Sequence, residues 1–96
     1  MEDKVVPGQL VESRSGRDSG RMYLVMETAG GNYVYVADGI IRRVENPKKK
    51  NIKHLSLQTQ VAVQVAEKLK ANQRITNQVL RRTIQGLLEQ SEEQPF

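Results

Sequence analysis

The sequence predicts an α+β protein, in which a small five-stranded β-barrel over residues 1–58 is followed by a C-terminal helical hairpin over residues 59–92 packed on it. Two observations support this prediction. Short apolar segments separated by Gly, Asn, Asp and Pro occupy the first half, a pattern typical of an all-β unit. From about Thr59 onward the apolar residues repeat with a helical period instead. The last residues, 93–96, are expected to fray.

The chain has 96 residues and no cysteine. This length fits one domain with one core, and without cysteine the core must be stabilised by packing rather than by disulfides or thiolate-bound metal. The longest apolar runs, such as MYLVM, are far too short to cross a bilayer, and MEDKVV lacks the basic-then-apolar order of a secretion signal. We therefore expect a soluble, cytoplasmic protein with no membrane partner.

Five segments of the first half have the composition of strands. They are rich in Val, Ile, Leu and Tyr and are separated by turn residues: VPGQLVES, RMYLVMET, NYVYVADG, GIIRRVEN and KHLSLQ. The linker TAGGN and the pair Asp38-Gly39 favour tight hairpins, which predicts a meander of strands two, three and four. The segment RSGRDSGR, residues 14–21, is too polar to be buried and too rich in glycine to be helical, and therefore predicts a surface loop.

The central strands carry apolar side chains at consecutive positions, in residues 22–26 and again in residues 33–36. Both faces of the sheet are therefore apolar there, so that one face can fill a barrel while the other needs a cover. We expect Tyr23, Tyr33 and Tyr35 to be core residues. Strong sequence readout by aromatic platforms, which single-stranded binders use, is accordingly not expected.

Two amphipathic helices supply the predicted cover, and they are joined near KANQRI. Their apolar positions fall on one stripe each: Val61, Ala62, Val65, Ala66 and Leu69 in the first, and Leu80, Ile84, Leu87 and Leu88 in the second. Thr76 is a suitable N-cap for the second helix. With both stripes turned inward, the polar residues of the second helix are left in water: Gln78, Arg81, Arg82, Gln85 and Glu89.

Positive charge is concentrated in one short segment. Residues 41–54 hold six Lys or Arg and one acid, whereas residues 1–40 hold four basic and six acidic side chains and residues 55–96 hold five and four. A local excess of this kind favours an anionic partner more strongly than the overall net charge of +4 does. Nucleic acid is the leading candidate.

The segment PGQLVESRSGRDSGRMYLVMETAGGNYVYVADG resembles the KOW motif. Together with RRVENPKKKNIKHLSLQ, it is similar to bacterial KOW-domain RNA-binding proteins related to a large-subunit ribosomal protein of archaea and eukaryotes, over roughly residues 5–58. The resemblance implies a small SH3-like barrel that binds ribosomal RNA or the transcription and translation machinery. It places Gly8, Gly16 and Gly20 at turn positions, beside Gly39 of the predicted hairpin, and Arg14, Arg17 and Arg21 in a loop that contacts RNA.

The predicted RNA contacts lie in two basic segments that the folded barrel would bring to one end. Lysine and arginine on such loops can neutralise phosphates and release counterions, while the shape of the RNA supplies selectivity. The candidate residues are Arg14, Arg17, Arg21, Arg42, Arg43, Lys48, Lys49, Lys50, Lys53 and His54. We predict a non-catalytic, ribosome-associated protein that binds ribosomal RNA.

Two alternatives remain open for the helical half. Residues 66–82 have the outline of a helix-turn-helix whose second helix would present Asn77, Gln78, Arg81 and Arg82 to DNA bases. Alternatively, the glutamine-rich hairpin docks a protein, which would make the chain an adaptor of the transcription or translation machinery.

Catalysis, cofactors and metals are not expected. The spacing of Gly16 and Gly20 lacks the Gly-Lys-Ser/Thr ending of a phosphate-binding loop. His54 is the single histidine, and with no cysteine it cannot form a metal cluster. Asp18 and Asp38 are interpreted as turn residues, because no second carboxylate shares a site with either and no catalytic triad is evident.

Overall fold

A computed structural model of the chain describes residues 5–92, with side chains through residue 90. It contains five strands, one single-turn 3-10 helix and two α-helices. The strands are β1 (Gln9–Ser13), β2 (Met22–Thr28), β3 (Tyr33–Ala37), β4 (Lys48–Asn51) and β5 (Leu55–Val61); the 3-10 turn is Ile52–His54; the helices are α1 (Val63–Lys70) and α2 (Asn77–Glu92). The predicted frayed tail, residues 93–96, lies outside the described residues.

The five strands form one antiparallel sheet in the order β4-β3-β2-β1-β5. The α+β class, with five strands followed by two helices, is confirmed. Closure into a barrel is not seen, because β4 and β5 are the two edges and no ladder joins them within residues 5–92. The strand β4 is only four residues long and runs directly into the 3-10 turn, which carries the chain to the side of β1.

The fourth strand is not the predicted one. Residues 39–46 form a loop, with Ile40 and Ile41 about 60% and 59% exposed, and the strand that pairs with β3 is Lys48–Asn51. The cause is Asp38, whose carboxylate Oδ1 accepts the backbone N–H groups of residues 40, 41 and 42 at 2.9–3.1 Å. Those donors are therefore not available to a sheet ladder, and the meander of β2, β3 and β4 closes through a longer loop.

Two apolar layers cover the two faces of the sheet, as expected for strands that are apolar on both sides. The inner layer is enclosed by the strands themselves and contains Val11, Tyr23, Val25, Val34, Val36 and Leu55. The outer layer joins the sheet to the helices and contains Leu10, Leu24, Ala37, Ala62, Val65, Ile75, Leu80 and Ile84. The prediction that the helical hairpin covers one face of the sheet is thus confirmed.

The helix ends follow local capping chemistry. The strand β5 continues to Val61, so that α1 begins four residues after the predicted start at Thr59. Asn72, with a positive φ of 58°, ends α1, and the N–H of Gln73 donates to the carbonyl of Lys68 at 2.8 Å in a Schellman arrangement. The prediction of Thr76 as the N-cap of α2 is confirmed, since its Oγ1 accepts the N–H of Val79 at 3.2 Å.

Within residues 5–92, neither α-helix has the length and apolar character that crossing a bilayer would demand.

The predicted turn glycines, Gly8, Gly16, Gly20 and Gly39, all adopt positive φ. Gly8 and Gly20 have nearly the same φ, 90° and 91°, but different surroundings. A Cβ on Gly8 would lie 2.9 Å from the Cβ of Ala66, whereas a Cβ on Gly20 would meet nothing within 4 Å. Gly8 is therefore required both for its backbone angle and for the contact between the chain before β1 and α1.

This pair gives a matched test of the close approach. Gly20→Ala should cost about 1–2 kcal/mol of unfolding free energy, because only backbone strain is added. Gly8→Ala should cost about 1–3 kcal/mol more, because overpacking against α1 is added. Urea denaturation of both variants measures the difference; equal losses would show that α1 does not pack on Gly8.

Candidate nucleic-acid interface

The two cationic segments predicted from the sequence, residues 14–21 and 41–54, lie next to each other in the structure. The segment of residues 14–21, hereafter the Arg loop, joins β1 to β2, and residues 38–47, hereafter the Asp38 loop, join β3 to β4. Because the strands are antiparallel neighbours, both loops leave the same end of the sheet. Arg21 of the first loop and Asp38 of the second form an ion pair with an N–O distance of 3.4 Å. Lys48 and Lys50, which belong to residues 41–54, also lie within 3.5 Å of Asp18 in the Arg loop, so the predicted proximity of the two segments is observed.

Asp18 connects the Arg loop to both β4 and the inner core. Its carboxylate accepts hydrogen bonds from the Tyr23 hydroxyl at 2.8 Å and from the Ser13 hydroxyl at 2.9 Å. The ammonium groups of Lys48 and Lys50 lie 3.5 and 3.4 Å from its two oxygens. Only 12% of the Asp18 side chain is exposed, so its contacts are structural. The cluster that Asp18 forms with Ser13, Tyr23, Lys48 and Lys50 is hereafter called the Asp18 clamp.

The clamp strongly favours the ionised form of Asp18. Burial alone would raise the pKa of this carboxyl, but the hydrogen bonds from Tyr23 and Ser13, with the charges of Lys50 and Lys48, outweigh burial and hold its pKa well below the usual range. Burial and the neighbouring Asp18 carboxylate raise the pKa of the Tyr23 hydroxyl. Tyr23 therefore remains a protonated donor. Because one carboxylate faces two ammonium groups, the ionised cluster keeps a net charge of +1.

The Asp38 loop is fixed to the sheet and to α2. The Oδ2 of Asp38 pairs with Arg21, while its Oδ1 holds the backbone of residues 40–42. Asp38 is thus a turn residue, as interpreted from the sequence. Arg81 of α2 donates from its guanidinium to the carbonyl of Gly39 at 3.0 Å, which attaches the same loop to the helix.

Asn77 holds the second half of the Asp38 loop. Its Oδ1 accepts the backbone N–H of Val44 at 2.8 Å, and its Nδ2 donates to the Glu45 carboxylate at 2.9 Å. This hydrogen bond from Asn77 is the largest contribution to the lowered pKa of the Glu45 carboxyl. Asn77 is buried, so it does not present its amide to DNA as the helix-turn-helix alternative requires. On α2, Gln78, Arg82, Gln85 and Glu89 are exposed as expected, and so is Arg81 although it is bonded to the loop.

The lysines of β4 point to opposite faces of the strand and differ in their surroundings. Lys50 is 8% exposed and its ammonium is engaged by Asp18, which departs from the expected contact with phosphate: this side chain faces the inner core opposite Val34. Lys48 shares the clamp and is half-buried. Lys49 projects from the other face and is exposed.

The remaining candidate cations differ in how freely they can reach an anion. Arg14, Arg17, Lys53 and His54 are exposed, and no ion pair engages them within residues 5–92. The N–H of Arg14 donates to the carbonyl of His54 at 2.9 Å, so the Arg loop begins beside the 3-10 turn that carries Lys53. Arg21 and Arg42 are half-buried, and exposed Arg43 lies 3.6 Å from Glu45, a surface pair that contributes little to stability.

The three tyrosines differ in burial, although all were expected in the core. Tyr23 is buried, as predicted, but Tyr35 is half-buried and Tyr33 is 42% exposed. The expectation is wrong for Tyr33, because it lies at the start of β3, on a part of the outer face that the helices leave exposed. Ala37, two residues after Tyr35 on that face, is buried under them.

Asp18 and Asn77 have structural roles that the sequence analysis does not predict. Asp18 was interpreted as a turn residue, yet it is the single acid within a loop that carries three arginines. An acid retained in a basic loop is a signal for an internal ion pair. Asn77 follows the N-cap and offers no such signal, because its partners lie more than thirty residues earlier in the chain.

No protein-family model matches the chain, and no curated protein is significantly similar to it in sequence. Among residues 5–92, no group of three or more His, Cys, Asp or Glu side chains is arranged to hold a metal ion.

The Asp18→Asn variant tests the clamp. It keeps polar atoms that can bond Ser13 and Tyr23 but leaves the buried Lys50 without a counter-charge, so the unfolding free energy at pH 7 should fall by about 2–4 kcal/mol. The exposed Glu67→Gln variant removes one negative charge elsewhere and should change stability by less than about 0.5 kcal/mol. Urea denaturation compares them, and equal stability would contradict the clamp.

The same variant should also change the acid dependence of stability. Because the folded pKa of Asp18 is lowered, its contribution is present above the unfolded value of about 4 and is lost as the pH falls below it. Wild-type stability should therefore decline between about pH 5 and pH 3 more steeply than that of Asp18→Asn. Parallel curves for the two proteins would show that Asp18 is not preferentially ionised in the folded state.

Proposed function

We propose that this chain is a non-catalytic RNA-binding protein that contacts RNA phosphates at the end of the sheet formed by the Arg loop, β4 and the 3-10 turn. The single observation that supports the proposal is the joining of two cationic segments at one end by Asp18 and Asp38. Because the two segments are held next to each other, their positive charges can contact the same anionic partner. A polyanion gains most from such an arrangement, because each phosphate neutralised releases a counterion.

The charges divide into two groups in this proposal. Lys48, Lys50 and Arg21 orient the loops by pairing with Asp18 and Asp38. Arg14, Arg17 and Lys53 carry the phosphate contacts, because they are exposed and are not held in ion pairs within the described residues. Arg42, Arg43 and His54 lie in the second cationic segment, residues 41–54, and extend the cationic surface.

Ribosomal RNA, or the ribosome during assembly or translation, is the proposed target. Support comes from the resemblance of residues 5–58 to KOW-domain proteins, in which the basic loop contacts RNA. The sheet would then be an open version of the SH3-like barrel. Residues of β1, β2, β3 and β5 form its inner apolar layer. The edge strand β4 contributes Lys50 instead, whose ammonium pairs with Asp18 of the Arg loop. A cytoplasmic location follows from this target.

Removal of the exposed cations tests the phosphate contacts. The combined variant Arg14→Gln, Arg17→Gln, Lys53→Gln should lower the affinity for a structured ribosomal RNA fragment by about a hundredfold at 0.1 M salt. The slope of log K against log salt should fall by about 2–3, because three phosphate contacts are lost. Fluorescence anisotropy with labelled RNA measures both quantities.

The matched control removes three exposed cations from α1 and the segment after it: Lys68→Gln, Lys70→Gln and Arg74→Gln. It has the same net charge as the test variant but should lose less than about threefold in affinity, because only the general field is weakened. Equal losses in both variants would contradict a localised interface. A change of Lys48, Lys49 and Lys50 together would be uninformative, since it also breaks the Asp18 clamp.

Crosslinking in cells identifies the target. Ultraviolet irradiation followed by sequencing of the bound nucleic acid should recover mainly ribosomal RNA, and the combined Arg14, Arg17 and Lys53 variant should reduce that recovery. Recovery of mainly chromosomal DNA would contradict the proposal and favour readout through α2.

A further inference from the structure

The outer face of β3 and β4 is uncovered at one end. Side chains of this face, hereafter the Tyr33 face, come from two paired rows: Tyr33 opposite Asn51, and Tyr35 opposite Lys49. Burial decreases along β3 away from the helices, from buried Ala37 through half-buried Tyr35 to Tyr33, which is 42% exposed. The helices therefore end before the Tyr33 face begins.

The Tyr33 face combines an exposed aromatic ring with a cation. The ammonium of Lys49 lies 5.0 Å from the centroid of the Tyr33 ring, within the range of a cation–π contact. No carboxylate lies within 4.0 Å of Lys49 among the described residues, so its charge remains available to an anion. The hydroxyls of Tyr33 and Tyr35 likewise have no hydrogen-bond partner within residues 5–92.

The face is continuous with the proposed phosphate contacts. The N–H of Ile52, at the start of the 3-10 turn, donates to the carbonyl of Asn32 at 2.7 Å, which places the turn beside the residue preceding Tyr33. Exposed Lys53 follows Ile52 directly. Tyr33 thus lies between Lys49 on β4 and the turn that carries Lys53.

We infer that Tyr33 stacks on an unpaired base of the bound RNA while Lys49 contacts the phosphate of the same or the next nucleotide. Stacking on an exposed ring needs a base that is free of its helix, because the faces of paired bases are covered by their neighbours. The charge of Lys49 favours a nucleotide over an uncharged peptide. Glu27 is exposed on β2 opposite Tyr35, and its negative charge disfavours a nucleotide next to Tyr35. Tyr33, which pairs with the uncharged Asn51, is therefore the proposed base site.

This inference rests on the proposed function and narrows its ligand to RNA with unpaired nucleotides next to a helix. The sequence does not predict an aromatic platform, because residues 33–36 are apolar on both faces of the strand and are therefore assigned to the core. The observation that reverses that expectation is the exposure of Tyr33 beside Lys49, which forms no ion pair within residues 5–92.

Two RNA probes separate the inference from the function that it extends. One is a stem-loop with an unpaired loop of about six nucleotides, and the other is the same stem closed as a blunt duplex. The wild-type protein should bind the stem-loop about tenfold more tightly than the duplex. Tyr33→Leu should remove that preference and leave duplex affinity unchanged, whereas Tyr33→Phe, which keeps the ring, should retain it. In addition, the ring protons of Tyr33 should shift upfield in NMR spectra when the stem-loop is added.

Each outcome has one meaning. Loss of the preference in Tyr33→Leu, with retention in Tyr33→Phe, supports stacking. Equal affinity of the wild type for both probes, with the usual salt dependence, overturns the inference while the proposed function stands, and leaves the Tyr33 face to a protein partner. Salt-independent or absent binding to both probes overturns the two together. Because Tyr33 is exposed, urea denaturation should show equal stability for the variants, so a folding defect is distinguished from a loss of stacking.

Discussion

The carboxylate of Asp18 is the interaction on which the arrangement of this protein's charged end depends. It connects the Arg loop to Ser13 at the end of β1 and to Tyr23 of the inner core by hydrogen bonds. It also pairs with Lys48 and Lys50 of the edge strand β4. A four-residue strand that contains three lysines has a low intrinsic propensity for β structure. It is held at the sheet edge because two of its ammonium groups meet a buried anion while its backbone pairs with β3.

This constraint separates structural charge from charge that is open to a partner. A buried ion pair adds little net stability, because the cost of removing both charges from water offsets much of their attraction. Its main effect here is to fix the positions of the loops and β4. Because Asp18 and Asp38 position the two segments, the exposed cations lie on a prearranged surface, and less loop entropy has to be lost on binding. The open Tyr33 face adjoins that surface. In the proposed function, phosphate contacts and base stacking would therefore be joined through the 3-10 turn, which is hydrogen-bonded to both Asn32 and Arg14.

Much of the fold could be predicted from the sequence, because its main features are local. The alternation in β2 and β3, the change to a helical period and the N-cap at Thr76 each depend on residues close together in the chain. The errors have long-range causes. The strand expected at residues 39–46 is displaced by the carboxylate of Asp38, and β4 is stabilised by Asp18, which lies in the loop between β1 and β2. The proximity of the two basic segments was predictable from antiparallel topology, but the burial of Lys50 and the exposure of Tyr33 depend on where the helices end on the sheet.

The most direct test of this account follows arginine and lysine side-chain signals by NMR while a structured ribosomal RNA fragment is added. The signals of the Nε–H groups of Arg14 and Arg17, and of the CH₂ group next to the Lys53 ammonium, should shift. The corresponding signals of Lys50 should stay in place, because its ammonium remains with Asp18. Shifts confined to Arg81 and Arg82, or a large shift at Lys50, would contradict the separation of structural from binding charge.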